Sequence, residues 1–183
     1  MAHILWGITG SGDRIEEIVE VMVNLHVQKG MNITVVISKA GEQVLRRYKL
    51  WDRLHETFSK VKVELNANVP FIAGPLQIGK YDLLVVAPLT ANSTAKIAHG
   101  IADTLITNAV AQTLKGSTSV LLYPVDQSPH PIETIAPDGT TFSITPRSID
   151  LENVEKLRTM TRVILLTSPR TLSEEILKHL NLN

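Results

Sequence analysis

Three polar turns in this chain carry side chains able to grip a phosphate or a heteroaromatic ring. Thr90, Asn92, Ser93 and Thr94 put four small hydroxyl and amide groups into five positions, soon after the apolar run Leu83–Val86. Thr9-Gly10-Ser11-Gly12 follows a second apolar run, and its glycines allow backbone N–H groups to approach a ligand closely. Ser38-Lys39-Ala40-Gly41 follows a third and offers a hydroxyl beside an ammonium. A turn of this kind, between a buried strand and a helix N-terminus, suits an anionic or heteroaromatic ligand. Each turn also has an ordinary reading: a glycine turn, a turn serine, or Asn92 as a helix N-cap. Asp13 counts against a phosphate at the first turn, unless it caps the helix and points away.

The elements that must hold these turns alternate. Strands are predicted at His3–Ile8, Ile33–Ile37, Lys62–Leu65, Leu83–Val86, Ser119–Tyr123 and Val163–Leu166. Pro88 is expected to stop the fourth, because it has no N–H to donate. Helices are predicted at Asp13–Gln28, Glu42–Tyr48, Leu50–Phe58, Asp150–Met160 and Leu172–Leu180. Another, with Ile97, Ile101, Leu105 and Ile106 near helical spacing, should break at Gly100, restart with Asp103 as N-cap and end at Gly116. Asn66–Gly79 reads as loop. Pro124–Arg147 holds five prolines, and Pro137-Asp138-Gly139 predicts a hairpin or arm over Glu133–Thr145. The pattern specifies an α/β chain: a Rossmann-like, doubly wound, mostly parallel sheet with a small Pro-rich arm, forming one domain over residues 1–183. In such a sheet all three polar turns fall beyond the carboxyl ends of the strands, where ligands bind.

Composition narrows the chemistry. The 183 residues are 44% hydrophobic and 20% charged, with 18 basic and 18 acidic side chains. That balance argues against nucleic acid and membrane surfaces as partners. No apolar run has the length of a membrane span and no signal peptide is evident, so a cytoplasmic location is expected. Cysteine is absent, which excludes disulfides, catalytic thiols and clusters held by the chain's own thiolates. Redox chemistry must then belong to a bound group. The six histidines are scattered without metal-site spacing, so no metal is expected; His26, His55 and His99 read as structural. No G-x-S-x-G elbow supports a serine nucleophile.

The stretch A-P-L-T-A-N-S-T-A-K-I-A-H-G-I-A-D, seventeen residues from Ala87 to Asp103, resembles the P-A-S/T-A-N-T motif and its continuation in the FMN-binding flavoproteins related to cysteine decarboxylases. W-G-I-T-G-S-G-D, S-K-A-G, Y-K-L-W, N-A-N-V-P-F, G-K-Y-D-L and I-A-D-T-L-I-T-N-A-V-A-Q together are similar to the archaeoflavoprotein and dihydromethanopterin reductase branch. P-I-E-T-I-A-P and D-L-E-N-V-E-K-L-R extend the resemblance toward the C-terminus. It implies FMN, held by Thr9, Gly10, Ser11, Gly12, Ser38, Lys39, Pro88, Thr90, Asn92, Ser93, Ala102 and Asp103.

Departures from the resemblance shape the expected activity. The decarboxylases use a His ahead of the central strand, and none lies between His55 and His99. Their P-x-M-N-x-x-M-W clamp is replaced by Pro124-Val125-Asp126-Gln127-Ser128-Pro129-His130. The basic and aromatic prenyl-phosphate residues of the flavin prenyltransferases are not evident either. The resemblance therefore implies an FMN-dependent oxidoreductase that reduces dihydromethanopterin to tetrahydromethanopterin with electrons from an external donor. The alternative is an electron carrier between ferredoxin and an iron–sulfur protein; a flavin-storing protein is a third class. No proton donor stands out. With two Trp, three Tyr and three Phe, the chain has few large rings to cover a flavin. The apolar Leu105-Ile106 and Ala109-Val110-Ala111 also suggest a helix buried against a partner. A homo-oligomer built from trimers, with a partly shared site, is the expectation the resemblance adds.

Overall fold

A computed structural model of the chain describes residues 2–182. Its core strand is β4 (Leu83–Leu89), buried at every position and flanked by β1 (His3–Ile8) and β5 (Ser119–Pro124). With β2 (Asn32–Ile37), β3 (Val61–Val63) and β8 (Val163–Leu165) these form one parallel sheet, in the order β3-β2-β1-β4-β5-β8. β6 (Ile132–Ile135) and β7 (Thr141–Ile144) pair antiparallel as a separate hairpin. The strand order reverses between β1 and β4, so a crevice opens there, beyond the strand ends.

The period-two alternation decides which face each side chain serves. Ile4, Trp6 and Ile8 of β1 and Leu83, Val85 and Ala87 of β4 pack on one face. They meet α1 (Ile15–Val27), α2 (Lys39–Arg47), α3 (Trp51–Thr57) and α8 (Pro169–His179). Leu5, Leu84 and Val86 point the other way, toward α4 (Ala73–Gln77), α5 (Ala91–Ala98), α6 (Leu105–Thr113) and α7 (Ser148–Arg158). A sheet covered on both faces needs continuous apolar strands, which is why β4 lacks alternation of polar and apolar residues. The indole Nε1 of Trp6 donates to the Ala87 carbonyl at 2.9 Å and ties β1 to β4 beside the crevice.

Several boundaries differ from the sequence reading. β4 runs through Pro88 to Leu89: the missing N–H shifts the register between Val86 and Leu89, and the strand resumes beside Pro124. The helix after the first turn begins at Ile15, with Arg14 left-handed at its N-cap position; Asp13 is not the cap. The Asn66–Gly79 loop contains the short helix α4. Gly100, at φ +70°, does end α5, but Thr104 caps α6 in place of Asp103. Thr104 has the extended backbone an N-cap needs, and its hydroxyl and that of Thr107 form a reciprocal capping box. The Asp103 carboxylate turns instead to Lys96 Nζ, at 2.8 and 2.9 Å. The hairpin on Pro137-Asp138-Gly139 is present, with Gly139 at φ +88°. Among the described residues no helix is long and apolar enough to cross a membrane.

Candidate flavin site

Three helices begin at the crevice, and they are built alike. In α2 the Ser38 hydroxyl accepts from Gly41 N at 3.0 Å; in α5 the Thr90 hydroxyl accepts from Ser93 N at 3.3 Å; in α6 the Thr104 hydroxyl accepts from Thr107 N at 3.2 Å. Each cap satisfies the third N–H of its helix. In α2 and α6 the first N–H is met by one carboxylate. Glu64, buried just past β3, accepts from Lys39 N at 3.2 Å and from Leu105 N at 2.8 Å. At α5 the Ala91 backbone pulls the Asp126 carboxyl down, against its burial. The second N–H groups, of Ala40, Asn92 and Ile106, have no partner among the described residues. A helix start needs partners for such groups, from side chains, water or a ligand.

Those three residues line one cavity of about 630 Å³, together with Thr9, Gly10, Ser38, Lys39, Glu64, Asn66, Ala67, Thr90, Ser93, Asp103 and Thr104. The size lies in the range of roughly 300–1,000 Å³ common for small-molecule sites. Three unpartnered N–H groups, each on the positive end of a helix dipole, favour an anion or a carbonyl-rich ring. Gly10 sets the width on one side. A Cβ there would come 2.5 Å from the Ala40 Cβ, so only glycine permits this approach of the first turn to α2. These features fit a flavin mononucleotide: one phosphate, and a flat ring rich in hydrogen-bonding atoms.

The sequence-predicted residues divide into groups. Thr9, Gly10, Ser38, Lys39, Thr90, Asn92, Ser93 and Asp103 are brought together at this cavity. Thr9 serves it indirectly: its N–H and hydroxyl both donate to the Pro88 carbonyl, at 3.2 and 2.8 Å, and its oxygen accepts from Thr90 N at 2.9 Å. That hydroxyl staples β1 to β4 and has no hydrogen left for a ligand. Pro88 contributes the carbonyl of this staple. Ser11 and Gly12 face a neighbouring chamber, and Ala102 lines neither space. Asn92 is exposed and is not the α5 cap, and its amide has no partner among the described side chains. Glu64, Thr104 and Ile106 were missed by sequence reasoning.

The neighbouring chamber, about 250 Å³, shares Gly10 and Thr90 with the larger cavity. Ser11, Asp13, Tyr48, Asp126 and Thr134 supply its polar lining, and Val125, Ile132, Phe142 and Ile144 its apolar lining. The Asp13 carboxylate accepts from the Thr134 hydroxyl at 2.9 Å, so it tethers the hairpin. Burial pushes the Asp13 carboxyl above the usual carboxylate range, against the pull of Thr134 and Arg14. Burial also raises Asp126, helped by Asp150 and Asp13. Burial pushes the nearby Tyr123 phenol up to about 12.

A doubly wound parallel sheet with a phosphate-suited cavity at its switch point defines a nucleotide-binding protein. The flavoprotein family model matches residues 1–179, and the chain belongs to the flavoprotein family. It is 47% identical over 180 residues, 98% of this chain and 97% of the relative, to an uncharacterized protein of Methanocaldococcus jannaschii. It is 39% identical over 130 residues to a dihydromethanopterin reductase (acceptor) of the same organism; that match spans 67% of this chain and 53% of the reductase. The solved structure of Burkholderia xenovorans DmrB in complex with FMN, a cubic protein cage for redox transfer, superposes with a TM-score of 0.84. The two share 32% identity over 99% of this chain and 98% of DmrB.

Proposed function

We propose that this chain is an FMN-dependent oxidoreductase that reduces dihydromethanopterin to tetrahydromethanopterin with electrons from an external donor. The observation that carries the reading is the cavity lined by Ala40, Asn92 and Ile106, whose backbone N–H groups have no partner among the described residues. Support comes from the likeness to a dihydromethanopterin reductase and to the FMN complex of DmrB. FMN supplies the two-electron chemistry that a chain without cysteine cannot supply from its own side chains. The protein's part is to hold the phosphate on the helix N-termini, orient the ring with Asn92 and the Thr90 turn, and exclude water. Adding dihydromethanopterin anaerobically to the reduced holoprotein tests the reading. Flavin absorbance should return within the turnover time; reoxidation no faster than that of free reduced FMN contradicts it.

Residues 1–183 act in this reading as one flavoprotein unit in the cytoplasm, assembled from trimers. The apolar side of α6 no longer argues for a partner. Leu105, Ile106, Ala109 and Val110 are each 1% exposed, covered by the chain's own sheet and neighbouring helices. Support for assembly lies instead in the cubic cage of DmrB and in Ile135, which the hairpin leaves exposed. Light scattering that finds an FMN-loaded monomer contradicts it.

Replacing Asn92 by Leu is expected to weaken FMN binding by roughly 10-fold or more, one hydrogen bond plus a steric block. The exposed position should leave stability within about 0.5 kcal/mol of the wild type. Flavin fluorescence titration and thermal melts of the apoprotein check both halves.

A further inference from the structure

The smaller chamber adjoins the larger cavity at the strand ends. It shares Gly10 and Thr90 with that cavity, so a molecule in the chamber can reach the edge of one in the cavity. Its roof is the β6–β7 hairpin, which contributes Ile132, Phe142 and Ile144. Tyr48 closes one side, and its hydroxyl donates to the Ile135 carbonyl at 2.8 Å. A space of about 250 Å³, with Val125, Ile132, Phe142 and Ile144 on its apolar side, has room for a flat bicyclic head group. Asp126, half-buried just past β5, lines it.

We propose that this chamber is the acceptor subsite of the flavin reaction, and that Asp126 is the acid that protonates the acceptor there. The assignment rests on the reductase reading. In the step, the C=N π bond of the acceptor breaks. Its carbon gains two electrons and one proton from the reduced flavin, and its nitrogen gains the second proton from Asp126. The products are an amine, oxidised flavin and the Asp126 carboxylate, which regains its proton from solvent. Asp13 does not fill this role, because its carboxylate already holds Thr134. Asp150 does not either, because Arg147 grips it at 2.7 and 2.9 Å and holds it below the usual carboxylate range.

The surroundings keep Asp126 protonated to higher pH than an ordinary carboxyl. Burial acts first, then Asp150 at the start of α7 and Asp13 in the first turn; the Ala91 backbone and Arg147 pull the other way. The acid form is the competent one. Reoxidation of the reduced holoprotein by dihydropterin should therefore be flat at low pH and fall roughly tenfold per unit above the Asp126 pKa.

Stopped-flow reoxidation of wild type and Asp126→Asn, each with bound FMN, tests this. Asn keeps the shape and one acceptor oxygen and removes the proton. Asp126→Asn should be slower by roughly 100-fold or more, and its rate should lose the pH dependence. Ile132→Trp, which fills the chamber from the hairpin, should weaken binding of dihydropterin to the oxidised holoprotein at least tenfold, read by equilibrium dialysis. An Asp126→Asn protein with the wild-type rate and pH profile overturns the acid assignment alone. Unchanged dihydropterin binding in Ile132→Trp overturns the subsite. A wild type that holds FMN but never reduces dihydropterin overturns the reductase reading, and the acid with it.

Discussion

Glu64→Leu is expected to melt lower than the wild-type apoprotein by roughly 5–15 °C and to lose most of its flavin affinity. The Glu64 carboxylate is 7% exposed and accepts from the first N–H of both α2 and α6. A leucine leaves both donors without an acceptor, at about 1–3 kcal/mol each where they are buried. At roughly 2–4 °C per kcal/mol for a chain of this size, the melting shift follows. Flavin binding suffers through position: without Glu64, the starts of α2 and α6 are no longer pinned to a common point. Glu64→Gln keeps one acceptor oxygen and turns an amide N–H₂ toward the other donor, so it should fall between the two. Thermal melts of the three apoproteins, with FMN titrations, decide it. A Glu64→Leu protein that melts with the wild type shows that the helices are held by other contacts.

Gly10→Ala should leave a folded protein with FMN affinity reduced roughly 10–100-fold, the equivalent of about 1–3 kcal/mol of overpacking. The new Cβ would lie 2.5 Å from the Ala40 Cβ and 3.2 Å from its carbonyl carbon. Separation of the turn from α2 relieves that clash and carries the Ala40 N–H away from the ligand. Ala40→Gly in the same chain removes the shorter contact and should restore part of the affinity. A double variant no better than Gly10→Ala would mean that Gly10 acts through some property other than its approach to Ala40.

Much of the fold could be read from residues whose neighbours are local. The apolar runs of β1, β2, β4 and β5 and the turn Pro137-Asp138-Gly139 declare themselves within a few positions. The polar turns were legible as a site because each follows such a run. What was hidden depends on distance. Glu64 is one acidic residue after a three-residue strand, and its partners are 25 and 41 positions away. The Thr9 hydroxyl looks like a ligand group in sequence, but Pro88, 79 positions on, uses it. Asp103 and Thr104 are both good caps, and only the backbone angles of Thr104 choose between them. The apolar surface of α6 is too broad for one packing face in isolation; α4, hidden in a Gly- and Pro-containing loop, helps cover it.

The central claim is that the cavity ringed by Ala40, Asn92 and Ile106 holds FMN. Mass spectrometry of the cofactor released from purified protein, paired with an FMN titration of the apoprotein, tests it most directly. The account predicts FMN, bound one per chain, with loss of affinity in Gly10→Ala. Release of FAD, or a colourless protein that leaves added FMN fluorescence unquenched, would contradict it.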